Sequence, residues 1–387
     1  MVYSSNLIIV LSLVSSTLAG NWFNNQLWAT TYAGAFSTFN FNTDTRALTN
    51  VSTSLDAGYQ PGWVTNHPWL PVLYTVERGK SEGGVYAWKY DREGKVTKLS
   101  SAGTNGASAV HCDISPDGKT LAVPNIAGGN MAVFAVSWDG TFGSEPSAMF
   151  TFPFTTVGPN VKEQSASRPH QAAFDGNSRN MYVPNLGTDR VHVFQVLGAG
   201  RLKQLDDIIL PDGSGPRHLT FWPPMGPSSF MYLVNQLSNT VMVFDISTKA
   251  RGASPKLIQT ISTLGAGLPP TAPNVNASAS EVVVTPDTRF LIAANRNAPS
   301  ENGQDTLASF SINPYGRGSH LKFLSLTGTG GKNPRHHAID PTGRYIAIAN
   351  QDSGINIVER NAWNGEFKGV VANYTTKSPV SVLWRPF

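Results

Sequence analysis

The chain has 387 residues, a formal net charge of +4 and only 14% charged residues. Its lysines and arginines are scattered rather than grouped, which excludes the basic stripe that a nucleic-acid partner requires. The 36 glycines and 26 prolines favour many tight turns, and no segment sustains a helical apolar pattern over three turns. These features together indicate an all-β protein.

The N-terminal segment has the pattern of a secretory signal. Residues 1–19 carry no charge, contain an apolar run at residues 7–11 and end in the small residues Thr17 and Ala19 around an apolar position. The stretch is too short to span a bilayer, so we expect removal of residues 1–19 and no membrane association afterwards. The mature chain, residues 20–387, is then secreted into the medium or the cell wall. An N-terminal anchor or a buried strand is the alternative.

Three sequons and one cysteine add to this picture. Asn50, Asn276 and Asn373 each begin an Asn-X-Ser/Thr sequon, and we expect them to carry glycans on a secreted chain. Cys112 is the only cysteine, which excludes an internal disulfide. Its place beside an apolar strand predicts a buried, unreactive thiol.

One phrase recurs seven times: an apolar strand, a turn residue five positions after its opening, and a second apolar strand. The opening positions are Trp63, His111, His170, His218, Glu281, His336 and Ser381. The turn positions are Pro68, Pro116, Asp175, Pro223, Pro286, Pro341 and Pro386. A strand-only unit with a period of roughly 50 residues predicts a propeller, in which equivalent positions converge on one axis.

The two chain ends each supply some of the strands of one predicted blade. Residues 27–32 and 36–41 read as strands without an opening phrase, whereas the last phrase, residues 378–386, has no chain left for its partner strands. Joining the two ends in one blade leaves no sheet edge along the seam. We therefore predict a single domain over residues 20–387, a seven-bladed β-propeller closed by pairing its N- and C-terminal strands.

Finer predictions follow from alternating apolar residues and turn chemistry. Residues 181–183, 231–234 and 290–292 are predicted as inner or second strands, and residues 191–194 and 241–244 as the strands after them. Hairpin turns are predicted at residues 117–118, 139–140, 212–213 and 342–343. The inserts 140–167 and 251–280 are rich in Gly, Pro, Ser and Asn and read as surface loops.

The predicted axis carries titratable and cationic groups. Four histidines and a glutamate open five consecutive copies, and arginines stand beside them; the set is His111, His170, His218, Glu281, His336, Arg168, Arg217, Arg296 and Arg335. Guanidinium groups bind carboxylate or phosphate, and histidine moves protons near neutral pH, so we expect a small anionic organic substrate. For any single histidine, a structural hydrogen bond to the next blade remains the alternative.

We predict neither a metal nor a cofactor, because no Cys/His or acidic cluster has the spacing of metal ligands. The asparagines that end the second strands are expected to bond the local backbone rather than a ligand. They are Asn125, Asn185, Asn235, Asn295 and Asn350.

The motifs around these residues resemble the lactonase family of seven-bladed propellers, which includes 6-phosphogluconolactonases and fungal 3-carboxy-cis,cis-muconate lactonizing enzymes. The motifs are Arg168-Pro169-His170, residues 182–191, Gly215-Pro216-Arg217-His218, residues 234–240, Asn295-Arg296 and Asn333-Pro334-Arg335-His336. The resemblance covers nearly the whole mature chain, and it is specific for the family rather than for one reaction.

The resemblance implies a catalytic group of His170, Arg217 and Arg296. It also implies a glutamate at the position of Gln236, which cannot take a proton; Glu281, rather than Glu77, is the better substitute. The remaining polar groups are expected to bind substrate, namely Arg168, His218, Gln236, Glu281, Arg335 and His336.

Three functions are open on this basis. The first is hydrolysis of a lactone of an anionic sugar acid. The second is closure of a muconate-type diacid to its lactone, which would use the same residues. The third is a secreted propeller that binds a ligand or a surface without catalysis, which the replacement at Gln236 and the signal segment favour.

Overall fold

A computed structural model describes residues 25–247, 254–265, 276–298, 300, 302–316 and 319–386. The predicted signal, residues 1–19, lies outside the described residues. Within them no α-helix occurs, and no helix there is long and apolar enough to span a membrane.

The described strands form seven four-stranded antiparallel sheets arranged as the blades of a propeller, as predicted. The chain begins with β1 (Gln26–Thr31), β2 (Phe36–Phe41) and β3 (Leu48–Ser54). Blade 1 comprises β4 (Pro61–Asn66), β5 (Val72–Glu77), β6 (Gly84–Tyr90) and β7 (Val96–Gly103). Blade 2 comprises β8 (Asp113–Ile114), β9 (Thr120–Asn125), β10 (Asn130–Ala135) and β11 (Ala148–Thr151). Blade 3 comprises β12 (Ala173–Phe174), β13 (Asn180–Asn185), β14 (Arg190–Gly198) and β15 (Arg201–Ile209).

The second half of the chain repeats the arrangement. Blade 4 comprises β16 (Pro216–Trp222), β17 (Phe230–Asn235), β18 (Thr240–Asp245) and β19 (Lys256–Ser262). Blade 5 comprises β20 (Ser278–Val284), β21 (Phe290–Arg296), β22 (Thr306–Ile312) and β23 (Leu321–Gly328). Blade 6 comprises β24 (Pro334–Ile339), β25 (Tyr345–Asn350), β26 (Gly354–Arg360) and β27 (Phe367–Tyr374). The last strand is β28 (Pro379–Trp384).

The predicted closure is confirmed, because β28 is the inner strand of blade 7 and pairs antiparallel with β1. Val382 lies opposite Ala29 in this pairing. One apolar cluster joins blade 7 to blade 6 and another joins it to blade 1. The described residues contain seven such clusters, one at each interface between blades, so the core is a ring of sheet-on-sheet contacts.

The structure corrects three of the finer predictions. The insert 140–167 contains strand β11, and the insert 251–280 contains β19 and the start of β20, so neither is only a loop. Residues 212–213 connect β15 to β16 between two blades rather than forming a hairpin, and the backbone N of Gly213 donates to Asp189 Oδ2 (2.7 Å). The other predicted turns, at residues 117–118, 139–140 and 342–343, join strands of one blade.

A β-bulge at the start of the inner strands aims side chains into the channel. In blade 4, Gly215 has φ +61° and precedes Pro216, which pairs with Asn235; His218 then pairs with the neighbour of Asn235. Arg217 is therefore an extra residue without a partner across the ladder, and a bulge of this kind re-aims its side chain.

The same irregularity recurs in other blades. Arg335 is the extra residue of blade 6, after Asn333 with φ +59°, and Gly62 is the extra residue of blade 1. The bulge position and the following ring position thus form two successive layers of the channel wall, and the bulge layer is nearer the face where the second strands end.

Blade 3 departs from the predicted alignment by one residue. The backbone N of Asp175 donates to the carbonyl of Asn180 (2.9 Å), and the equivalent bond in blade 2 joins Ser115 to Thr120 (2.8 Å). Asp175 therefore corresponds to Ser115, and Gly176 stands where the other blades have proline. The predicted alignment was wrong here because it placed an acidic residue in the proline position.

This shift moves His170 into the bulge layer, where it is equivalent to Arg217 rather than to His218. Gln171 occupies the ring position of blade 3. Its amide Nε2 donates to the carbonyl of Leu219 (3.3 Å), and its Oε1 accepts from the backbone N of Leu219 (2.6 Å), which ties blade 3 to blade 4.

Candidate active site

A chain of two hydrogen bonds crosses the channel wall from blade 3 to blade 5, and a longer contact extends it to blade 6. Nδ1 of His170 lies 3.1 Å from Nε2 of His218, and Nδ1 of His218 lies 2.7 Å from Oε2 of Glu281. The same carboxylate oxygen is 3.6 Å from Nε2 of His336, whose Nδ1 accepts from the backbone N of Val382 (3.1 Å). All four side chains are buried. The repeat therefore does bring its imidazoles and its carboxylate together.

Burial decides the charge of these groups. It lowers the pKa of His170 and His218 well below the usual value, and Arg217 lowers both further. Burial raises the pKa of Glu281 to about 8, although the Arg217 guanidinium pulls it down. The imidazoles are therefore neutral at pH 7, and each has one N–H donor and one lone-pair acceptor.

Trp63 forms the floor of this site. Its ring centroid is 4.1 Å from that of His111, 4.4 Å from that of His336 and 5.3 Å from that of His218. Trp63 belongs to the ring layer, one layer deeper than His170, so it closes the channel beneath the bulge layer. Its aromatic surface packs against three of the buried imidazoles.

Three arginines, Arg217, Arg296 and Arg335, lie above Trp63. Nη1 of Arg217 donates to the carbonyl of Ser280, and Arg296 donates to Ser278 through Nε to the carbonyl (3.2 Å) and through Nη2 to Oγ (2.6 Å). Burial and mutual repulsion lower the pKa of Arg217 below its usual value. Burial followed by the field of Arg335 lowers the pKa of Arg296 to about 10. Repelling cations held in place by backbone carbonyls form a strongly positive site.

A third layer, the rim, comprises the residues at or directly beyond the ends of the second strands. Gln236 follows β17, Arg296 ends β21, Tyr32 follows β1 and Arg78 follows β5. Nη1 of Arg78 donates to the Tyr32 hydroxyl (2.6 Å), and the guanidinium carbons of Arg78 and Arg335 lie 5.1 Å and 5.2 Å from the Tyr32 ring centroid. The sequence prediction did not include Tyr32 and Arg78; Arg78 could have been found by aligning blade 1 on the repeat, whereas the equivalence of Tyr32 to Gln236 is visible only once β28 pairs with β1.

The other predicted residues lie at the margins of this group. Gln236 is half-buried, and its backbone N donates to Gly215 (2.7 Å). Arg168 precedes the bulge of blade 3, and its buried Nε has no hydrogen-bond partner among the described residues. Glu77 accepts from the Tyr86 hydroxyl (2.5 Å) in the second strand of blade 1, away from the ring layer.

Three of the five asparagines donate to the backbone as predicted, whereas Nδ2 of Asn185 bonds the side chains of Ser167 and His192 and Nδ2 of Asn235 donates to the Thr240 hydroxyl. Nδ2 of Asn125, Asn295 and Asn350 donates to the carbonyl that directly follows the outer strand of the preceding blade, that of Thr104 (3.1 Å), Thr263 (2.8 Å) and Thr329 (3.0 Å) respectively. The Cys112 thiol is buried, and burial raises its pKa well above the usual value, as expected for an unreactive cysteine.

Known proteins share this architecture and about a quarter of the aligned sequence. The chain is 27% identical over 346 residues to a 6-phosphogluconolactonase of Bacillus subtilis, covering 89% of this chain and 92% of that one. It is 27% identical over 338 residues to a 6-phosphogluconolactonase of Formosa agariphila, covering 85% and 89% of the two chains. The solved structure of a periplasmic gluconolactonase from Pseudomonas aeruginosa superposes with a TM-score of 0.79 at 22% identity, covering 93% and 99%, and supports the fold. Residues 26–384 match the family described as lactonase, 7-bladed beta-propeller, and the chain belongs to that family.

Proposed function

We propose that the protein hydrolyses a lactone of an anionic sugar acid, such as a phosphogluconolactone. The observation that carries this proposal is the buried chain His170–His218–Glu281 beside Arg217 and Arg296. The names of the relatives support the lactone, and the surplus of guanidinium groups supports a phosphate or carboxylate on it.

The tautomers of the two hydrogen-bonded histidines identify which nitrogen acts as the base. When Glu281 is ionised it accepts the Nδ1 proton of His218, so Nε2 of His218 is a lone pair and accepts the Nδ1 proton of His170. Nε2 of His170 is then a bare lone pair that can take a proton from water. The arrangement gives a neutral base oriented by a buried carboxylate, as in hydrolases with a histidine and an acid.

The reaction follows from these positions. Water bonds to the lactone carbonyl carbon while its proton passes to Nε2 of His170. The carbonyl oxygen gains negative charge, which Arg217 and Arg296 stabilise from fixed positions. The ring C–O bond then breaks, and the departing oxygen takes a proton to give the hydroxy acid.

The other two functions make different use of the same groups. Closure of a muconate-type diacid needs an acid that protonates the alkene carbon, and Gln236 cannot supply it at the family position. A binding propeller has no need of a histidine oriented by a buried carboxylate. The place of Trp63 beneath the bulge layer favours an open site over a plugged one.

We also propose that residues 1–19 are removed and that the protein is secreted. The three sequon asparagines Asn50, Asn276 and Asn373 are all exposed, which makes each accessible to glycosylation. N-terminal sequencing of protein expressed in a eukaryotic secretory host should start at Gly20, and N-glycosidase should lower its mass. An intact Met1 would overturn the secretion proposal.

A substrate panel tests the function. Purified mature protein and its Gln236→Glu variant should be assayed against 6-phosphogluconolactone, gluconolactone and carboxymuconates. We expect the wild-type protein to hydrolyse the phosphorylated lactone with the highest kcat/KM and to leave muconates unchanged. Activity confined to the Gln236→Glu variant would instead mark the wild-type chain as a propeller that has lost catalysis.

A further inference from the structure

We propose that Tyr32 is the general acid of this site, protonating the departing ring oxygen of the lactone. The inference rests on the proposed hydrolysis and supplies the proton donor that it lacks. Gln236 cannot donate an acidic proton, and the imidazole of His170 is occupied as the base.

The repeat places Tyr32 in the same rim layer as Gln236 and Arg296. It follows the second strand of blade 7, and its backbone N donates to the carbonyl of Ser378 (2.9 Å), as the N of Gln236 does to Gly215 in blade 4. Blade 7 lies across the ring from blade 3, which bears His170. A substrate in the funnel would therefore meet the base on one side and the phenol on the other.

The surroundings of Tyr32 suit an acid. Arg78 donates to the phenolic oxygen (2.6 Å), so the hydroxyl hydrogen stays available to a substrate atom. Arg78 and Arg335 also flank the ring, and cations near the oxygen stabilise the phenolate that remains after proton transfer. Burial raises the pKa of Tyr32, but the fields of Arg335, Arg78 and Arg217 outweigh it, and the pKa lies below its usual value.

The proton balance closes over one turnover. The water proton goes to Nε2 of His170, the phenolic proton goes to the departing ring oxygen, and the C–O bond breaks with its electron pair on that oxygen. His170 and Tyr32 then return to their starting states when the proton on the imidazole passes through solvent to the phenolate.

Two measurements on Tyr32→Phe test the assignment, with Tyr315→Phe as the matched control because Tyr315 is fully exposed at a distant turn. The first is lactone hydrolysis. We expect kcat to fall about 100-fold with KM changed less than about threefold, as for loss of an acid catalyst. An unchanged kcat, or a rise in KM alone, would overturn the role as acid and leave Tyr32 as a binding group.

The second measurement does not depend on turnover. Ultraviolet difference titration should show that Tyr32→Phe removes a phenol titrating below pH 10, whereas Tyr315→Phe should leave that phenol in place. Arg78→Gln should move the Tyr32 titration to higher pH. A Tyr32 phenol that titrates at or above pH 10 would contradict the proposal; an inactive wild-type protein with a low-titrating Tyr32 would instead refute the lactone substrate.

Discussion

Nδ1 of His170 lies 3.1 Å from Nε2 of His218, although 48 residues separate them in the chain. The contact joins the bulge layer of blade 3 to the ring layer of blade 4. It arises because the bulge position of blade 3 and the ring position of blade 4 both hold a histidine. The relation makes the protonation of His170 depend on Glu281, two blades away.

Glu281→Gln should remove the dependence of His170 protonation on the carboxylate of Glu281. Oε1 of Glu281 accepts from the backbone N of Val282 (3.0 Å), so the glutamine oxygen stays there and its NH2 group faces His218. The amide then donates to Nδ1 of His218, which reverses both imidazoles and leaves a proton on Nε2 of His170. We expect kcat to fall about 100-fold or more.

The pH profile separates this effect from simple damage. Because burial raises the pKa of Glu281 to about 8, wild-type kcat/KM should rise with pH and level off above about 8. Glu281→Gln should lose that limb, and Glu145→Gln, an exposed control, should keep it. A variant at position 281 with the wild-type profile would rule out the relay.

Acid should destabilise the protein because five histidines in and beside its inner strands are buried and neutral. Burial lowers the pKa of His111, His170, His218, His336 and His337 in the folded state. The unfolded chain protonates these histidines below about pH 6.5, whereas the folded protein does not. Their contribution to the free energy of unfolding is therefore complete above that pH and is lost as the pH falls.

Glu281 and Asp113 act in the opposite direction, because burial raises their pKa to about 8 and about 7 and their stabilisation is lost as the pH rises. The histidines whose pKa is lowered by burial outnumber these two carboxyl groups, so the unfolded chain binds more protons and the free energy of unfolding should fall as the pH falls below 7. Urea unfolding at pH 7.0 and 5.5 checks the sign. His337→Leu should reduce the slope, and a urea midpoint that rises on acidification would disprove the account.

Deletion of residues 378–387 should unfold the whole ring. It removes β28, which buries Val380, Val382 and Trp384, and it exposes the inner edge of blade 7. Full burial of three such side chains contributes about 5–9 kcal/mol, comparable to the stability of a whole domain. Circular dichroism and size exclusion should show an unfolded or aggregated product. A truncated protein with a cooperative transition near the wild-type Tm would contradict closure by this strand.

Gly215→Ala should destabilise the bulge that aims Arg217. Gly215 has φ +61°, and an added Cβ would lie 2.3 Å from Cγ of Leu237. Gly226 in the same blade has φ +73° but open space around it, so Gly226→Ala carries only the backbone cost of about 1 kcal/mol. We expect a clearly lower Tm and lower lactonase activity for Gly215→Ala. Equal Tm values for the two variants would contradict the steric argument.

The sequence predicted the ring and its closure because the phrase repeats at a constant period and its last copy lacks partner strands. It also predicted that His218, Glu281 and His336 meet, since these blades keep the proline turn in register. The sequence prediction placed His170 one layer too deep. It aligned Asp175 with the turn prolines of the other blades, whereas Gly176 occupies that position.

It missed Tyr32 for a different reason. The N-terminal strands lack the opening phrase, so no alignment carried the rim position into blade 7. The cation–π contacts with Arg78 and Arg335 arise only when the chain ends are joined. Local sequence patterns thus predict the inner layers of the funnel, whereas the rim depends on how the ring closes.

The most direct test of the account compares two histidine variants in the hydrolysis of 6-phosphogluconolactone. His170→Asn removes the proposed base, whereas His67→Asn changes a histidine in a β4–β5 turn at the opposite face and keeps an acceptor for the backbone N of Trp69 and Leu70. With both variants folded, we predict that kcat falls at least about 100-fold for His170→Asn and stays within about twofold for His67→Asn. Wild-type kcat in the His170→Asn variant would contradict the central claim that this funnel is a hydrolytic site built on His170.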